Sequence, residues 1–258
     1  MGVLAALMPL TLALTQPAPT APTAALEEMR TLLQEGLYAL AAQVEGPALV
    51  EAMPESAEAR YLHAKALYLT GDLAAAQTQL EQLTALQLKA AEPEYAQLEA
   101  LVAAGRGDLL QAQALLEATF AQTPSYSVAM DLGRVAWQAG NFAEALRAYR
   151  AAAQTPEGRV QPWPHLHQAR LLSLQGDYGA SIEAWNTALN VLDQASLAGR
   201  AEALPSPAYV EAFYGLGEAY EALGEPDEAA ANYSAALAAD PSFEPATLAL
   251  ERLNNTPR

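Results

Sequence analysis

Two of the three histidines in this chain of 258 residues, His165 and His167, stand one residue apart in the stretch HLHQARLLSLQGD. Imidazoles so close suggest a metal site or an acid–base pair. Helical geometry argues against both. Residues two apart point about 200° apart around a helix of roughly 3.6 residues per turn, whereas a shared metal needs i, i+4 spacing. His63 is remote from both in the sequence. There is no cysteine, which excludes thiolate ligands, cysteine nucleophiles and disulfides. The chain holds no His-Glu-x-x-His, no nucleophile elbow and no phosphate-cradling glycine loop. Gly215-Leu216-Gly217 falls inside a helical pattern, where it allows close packing. The acidic residues are dispersed over solvent faces and helix starts, where they favour the macrodipole. A catalytic role, a cofactor and a bound metal are therefore not expected.

The elements that would position a site must come from the bulk of the chain. At 52% hydrophobic and 17% charged, it has ample material for a core. A net charge of −17 repels nucleic acid and anionic headgroups, so neither is expected as a partner. Residues 1–24 stand apart. Val3 to Leu14 is an apolar run broken by Pro9, followed by a Pro/Thr/Ala tract from Gln16 to Ala24. This is the shape of a secretory signal, and it falls short of the ~20 apolar residues of a membrane-spanning helix. No Lys or Arg precedes Arg30, so the usual positive start is missing. The expectation is export to the periplasm or cell envelope, with the cytoplasm as the alternative and cleavage between Thr15 and Ala24. Oligomeric state is left open.

A repeat runs through the rest. A Gly followed by an acidic or amide residue recurs at Gly71-Asp72, Gly107-Asp108, Gly140-Asn141, Gly176-Asp177 and Gly224-Glu225. Five residues after each Gly comes a small residue: Ala76, Ala112, Ala145, Ser181 and Ala229. Four further on comes a large one: Leu80, Leu116, Tyr149, Trp185 and Tyr233. Phe213, Leu216, Gly217 and Tyr220 form one helical stripe before Gly224. Gly224 suits the left-handed end of a helix, and Pro226 the first turn of the next. Asn141 with Glu144 has the capping-box pattern. Each unit reads as two helices that cannot bury their apolar stripes alone and must stack.

These units resemble tetratricopeptide repeats. Residues 210–243 match the family pattern through Phe213, Leu216, Gly217, Tyr220, Gly224, Ala229, Tyr233, Ala236 and Pro241. Units at 57–90, 93–124, 126–157 and 162–195 match less fully. Arg60 and His63 stand where large apolar residues are usual, Ala103 where Tyr is expected and Thr119 where Ala is expected. A degenerate unit, 22–54, precedes them, with Glu45 in an aromatic position. Residues 244–255 would cap the array, and 190–207 is an insertion expected to extend a second helix into a loop. The resemblance implies an all-α fold across 25–258, a right-handed α-solenoid of stacked antiparallel helix pairs.

The resemblance also implies a concave groove, lined by first helices, that binds a protein or peptide. The residues 13, 10, 6, 3 and 2 before each Gly lie on one helical face. They give Glu58, Tyr61, Lys65, Tyr68 and Leu69; Glu94, Gln97, Leu101 and Ala104; and Ser127, Met130, Arg134, Trp137 and Gln138. The later units add Trp163, Leu166, Arg170, Ser173 and Leu174, then Glu211, Tyr214, Glu218, Glu221 and Ala222. Aromatics beside Lys65, Arg134 and Arg170 have the composition of binding hot spots. The expected site is Tyr61, Lys65, Tyr68, Gln97, Met130, Arg134, Trp137, Trp163, Arg170, Tyr214 and Glu218. Its partner would be a segment with carboxylates and apolar anchors. The Lys and Asn residues of the family's carboxylate-clamp subtype are not matched. His165 occupies the slot of Phe213 and reads as a half-buried packing residue. The alternative role is a structural or assembly component of the cell envelope, acting through the convex face or residues 190–207.

Overall fold

The computed structural model describes residues 21–85, 92–197 and 206–255. The expected export segment lies outside them, apart from the start of the first helix. Every regular element among the described residues is helical. The chain divides into two compact units, Met1–Ala90 and Ala91–Arg258.

In the first unit, α1 (Ala21–Gln34) precedes α2 (Tyr38–Leu40), a π turn (Ala41–Glu45) and α3 (Gly46–Ala52). The pair α4 (Ala57–Thr70) and α5 (Leu73–Ala85) follows. Arg60 and His63, which stand in apolar positions of α4, are both buried. Arg60 donates to the Pro54 carbonyl at 2.8 and 3.2 Å and to the Gln79 and Gln82 side chains. His63 Nε2 lies 3.0 Å from the Ala42 carbonyl, inside the π turn. Its ring fills the space a side chain on Gly46 would need. Thus polar side chains replace apolar ones where neighbouring backbone groups supply partners.

The second unit stacks α6 (Pro93–Gly105) with α7 (Leu109–Gln122), and α8 (Tyr126–Gln138) with α9 (Phe142–Gln154). After a 3-10 turn at Gly158–Val160 come α10 (Trp163–Leu174) with α11 (Tyr178–Leu197), and α12 (Pro207–Ala222) with α13 (Pro226–Ala239). The terminal helix α14 (Glu244–Asn255) closes the stack through buried Ala246 and Ala249. Each consecutive pair packs on the next, as the solenoid arrangement requires. Helix α11 runs for 20 residues, which accounts for the start of the 190–207 insertion; 198–205 lie outside the described residues.

The Gly-Asp pattern has a double structural role. Gly71 adopts φ 84°, and the Asp72 amide reaches back to the Leu67 carbonyl at 2.9 Å, closing α4. The Asp72 carboxylate then accepts from the Ala75 amide at 3.0 Å and starts α5. Asp177 repeats this with Ala180 at 3.2 Å. At Asn141 the expected reciprocal box is only half present. The side chain accepts from the Glu144 amide at 3.3 Å, but the Asn141 amide is taken by the Ala136 carbonyl at 2.8 Å. Glu144 turns instead to Arg147.

The small and large residues behind each Gly make the core. Ala76, Ala112, Ala145, Ser181 and Ala229 are all fully buried, and so are Leu116 and Tyr233. Three rings are seated on backbone: Tyr149 on Gly133, Tyr233 on Gly217 and Trp185 on Gly215. A Cβ on any of these glycines would come closer than 3.0 Å to the ring. The Gly215-Leu216-Gly217 segment is thus a double seat for aromatic rings from two neighbouring helices.

Candidate functional site

The expected site residues fall in both compact units. On α4 of the first, Tyr61, Lys65 and Tyr68 are half-buried, and Lys65 Nζ sits 5.9 Å from the centre of the Tyr61 ring. Glu58 on the same helix is held by Arg30 of α1.

In the second unit the first helices α6, α8, α10 and α12 present the remaining eight. A ladder of polar contacts joins neighbouring helices. Gln97 on α6 donates to Asp131 on α8 at 2.7 Å, and Arg134 pairs with the same carboxylate at 3.0 Å. Arg170 Nε on α10 lies 2.8 Å from Glu211 Oε1 on α12, although that oxygen is buried without an aligned hydrogen bond. Arg252 on α14 grips Glu221 on α12 at 2.7 and 3.1 Å. Arg134 and Arg170 are therefore already engaged with carboxylates of the chain. Partially exposed pairs of this kind contribute only ~0–1 kcal/mol each, so an incoming group can compete for them.

The aromatic members divide. Trp137 meets His167 edge-on at 6.5 Å, and His167 stacks on Tyr149 at 4.8 Å. Burial, followed by the Arg170 charge, lowers the His167 pKa to about 4. Burial lowers that of His165 as well. Both histidines are packing residues, and among the described residues no group of three or more His, Cys, Asp or Glu could hold a metal. Met130 packs partly into the Tyr149 cluster, and Trp163 into the Trp185 cluster. Leu166, expected on the exposed face, is fully buried: it packs into the Trp185 core, while Arg170 and Leu174 of the same face stay exposed.

Two cavities open on this face. The smaller, about 280 Å³, lies between α8 and α10 and is edged by Arg134, Trp137, His167 and Arg170. The larger, about 520 Å³, lies between α10, α12 and the entry to α14. Its walls are Trp185, Pro207, Val210, Tyr214 and Phe243, and its polar rim is Arg170, Glu211, Glu218 and Asp240. Tyr214 is braced by Tyr233 at 5.5 Å and Phe243 at 5.3 Å. Burial raises the pKa of Glu211 despite Arg170, and raises that of Glu218 despite the Tyr214 hydroxyl. Glu221 is shifted the other way, chiefly by its hydrogen bond from Arg252. Reading the first-helix faces alone missed Trp185, Pro207, Val210 and Phe243. The signal for Trp185 was present in the sequence, because a large ring and a helical glycine occur where helices must touch.

Three sequence profiles described as tetratricopeptide repeat match residues 57–82, 98–159 and 210–243. Solved structures share the fold at low identity. YrrB, a TPR protein with an unusual peptide-binding site, gives a TM-score of 0.60 at 16% identity, over 81% of this chain and 99% of its own. PilF of Pseudomonas aeruginosa gives 0.65 at 16%, over 91% and 96%. MamA gives 0.57 at 18%, over 72% and 92%. No curated protein matches the chain by sequence. No helix among the described residues is long and apolar enough to cross a membrane.

Proposed function

Since this chain is a tetratricopeptide repeat protein, a scaffold for protein interactions, we propose that it binds a partner segment along the first-helix face of its second unit. The role is non-catalytic. The observation that carries it is the pair of cavities on one face, with Arg134, Trp137 and Arg170 around one and an apolar floor in the other. Aromatic walls supply area at little entropic cost, and arginines add charge-assisted hydrogen bonds. Arg134 and Arg170 recognise a carboxylate of the partner by exchanging it for Asp131 and Glu211, and an apolar residue anchors beside it. Tyr61, Lys65 and Tyr68 offer a comparable patch on the first unit. We place the protein in the periplasm or cell envelope, a reading supported by the apolar run Val3 to Leu14 and the small-residue tract after it.

The test is affinity capture from the native cell with wild type and with Arg134→Glu/Arg170→Glu. Loss of the captured partners supports the groove, and an unchanged set sinks it. One observation favours a second reading, assembly through the extended α11: Leu197 at its end is 83% exposed. Leu197→Glu would then abolish capture while the arginine variant kept it.

A further inference from the structure

The larger cavity carries more than an apolar anchor. Three carboxylates, Glu211, Glu218 and Asp240, stand on its rim with Arg170, while Arg252 acts on Glu218 from α14. Asp240 is fixed by the Ser242 amide and hydroxyl at 2.9 and 2.7 Å, so its place on the rim is set by the α13–α14 turn. In the lining the buried Trp185 indole N–H lacks a hydrogen-bond partner, whereas Glu211 Oε1 is ion-paired with Arg170 Nε at 2.8 Å. Trp185 is 2% exposed, so water cannot freely serve it. A cavity with apolar walls and surplus negative charge selects its occupant. An acidic residue is repelled, and a purely apolar one deepens the desolvation of the carboxylates. Lysine and arginine satisfy both demands, because the aliphatic stem lies on the walls while the cationic head stays at the rim. Tyr214 and Phe243, both in the lining, place aromatic rings beside such a head.

We propose that this cavity takes a lysine or arginine of the partner segment, with an adjacent apolar residue on the Trp185–Val210 wall. The proposal rests on the groove reading and adds a direction to it. The partner's acidic residue would lie over α8–α10 and its basic residue over α12–α14. Burial holds Glu211 and Glu218 above their ordinary pKa, and a bound cation would reverse that shift.

The experiment is a selection of random dodecapeptides displayed on phage against the full chain. Affinities of the selected peptides are then measured by fluorescence anisotropy on wild type, Glu218→Gln, Glu218→Lys and Trp137→Ala, with circular dichroism to verify folding. The expected result is enrichment of Lys or Arg beside an apolar residue. Affinity should fall roughly threefold in Glu218→Gln and at least tenfold in Glu218→Lys. Selected peptides without basic enrichment, or affinities indifferent to Glu218→Lys, overturn the proposal. If those same peptides are lost in Trp137→Ala, the groove reading stands without it. If they bind both variants as wild type, or if nothing is selected, the groove reading fails too. Lysine amide or arginine amide binding as tightly as the peptides would make the occupant a small cation and also overturn the proposal.

Discussion

Replacing Gly217 with alanine should destabilise the second unit, although alanine is the better helix former. In a helix interior the exchange alone is favourable by ~1 kcal/mol. Against it, the added methyl would come closer than 3.0 Å to the Tyr233 ring. That ring is fully buried and tethered by its hydroxyl to Glu221 at 2.8 Å, so it cannot swing aside without cost. Overpacking of this kind costs ~1–3 kcal/mol. If the ring retreats, a hydrogen bond to a charged acceptor worth ~1.5–3 kcal/mol goes with it. The net expectation is a loss of about 2 kcal/mol. Gly179, helical in α11 with nothing within 4 Å of an added Cβ, is the internal control. There, in the first turn of α11, the same substitution should be neutral or stabilise by up to about 0.5 kcal/mol. Thermal melting by far-UV circular dichroism reads both, at ~2–4 °C per kcal/mol for a chain of this size. Gly217→Ala/Tyr233→Leu should recover part of the loss. Gly217→Ala melting above wild type would refute the ring-on-backbone account.

Other expectations are equally direct. His167 has a folded pKa near 4 against an ordinary 6.5, so its neutral form contributes stability that is complete above pH 6.5 and lost as pH falls toward 4. The upper bound is about 3 kcal/mol. His167→Phe keeps the stack on Tyr149 and should flatten urea-unfolding stability across that window; an unaltered acid slope would contradict it. Asp72→Ala removes the cap on α5 and should cost ~1 kcal/mol. Asp108→Ala, where no side-chain cap bond exists, should stay within about 0.5 kcal/mol in the same denaturation assay. Arg252→Ala frees the Glu221 carboxylate, so the Glu221 pKa should rise toward its ordinary value when followed by NMR titration.

The fold was legible because local chemistry repeats. Gly71 and Gly224 end helices by their positive φ, the next residue starts another helix, and the small–large pair behind them packs the joint. The candidate site was less legible. Helical offsets identify Arg134, Trp137, Arg170, Tyr214 and Glu218 as neighbours on a face, but they do not say which charges cancel. Asp131 sits one turn before Arg134 and one repeat after Gln97, and it engages both. Glu211 and Arg252 are likewise about one repeat away from the groups they pair with. Pairing between repeats depends on how far successive helices are displaced, which a single-helix register does not contain. The larger cavity escaped for a similar reason. Trp185 enters from a second helix and Phe243 from the α13–α14 turn, so no single-helix stripe contains them. Arg60 and His63 lie at apolar positions, yet the Pro54 and Ala42 carbonyls that meet the Arg60 guanidinium and His63 Nε2 come from elsewhere in the chain.

Binding of partners is proposed for the first-helix face of the second unit. Photocrosslinking tests it most directly, with benzoylphenylalanine introduced at Trp137, Tyr214, Leu110 and Leu197 in separate variants expressed in the native cell. Leu110 on α7 and Leu197 on α11 are 82% and 83% exposed and serve as second-helix controls. Adducts are expected at Trp137 and Tyr214, mapping to one short stretch of a partner protein, with none at the two leucines. Adducts confined to Leu110 or Leu197 would contradict it and move the binding surface to the second helices.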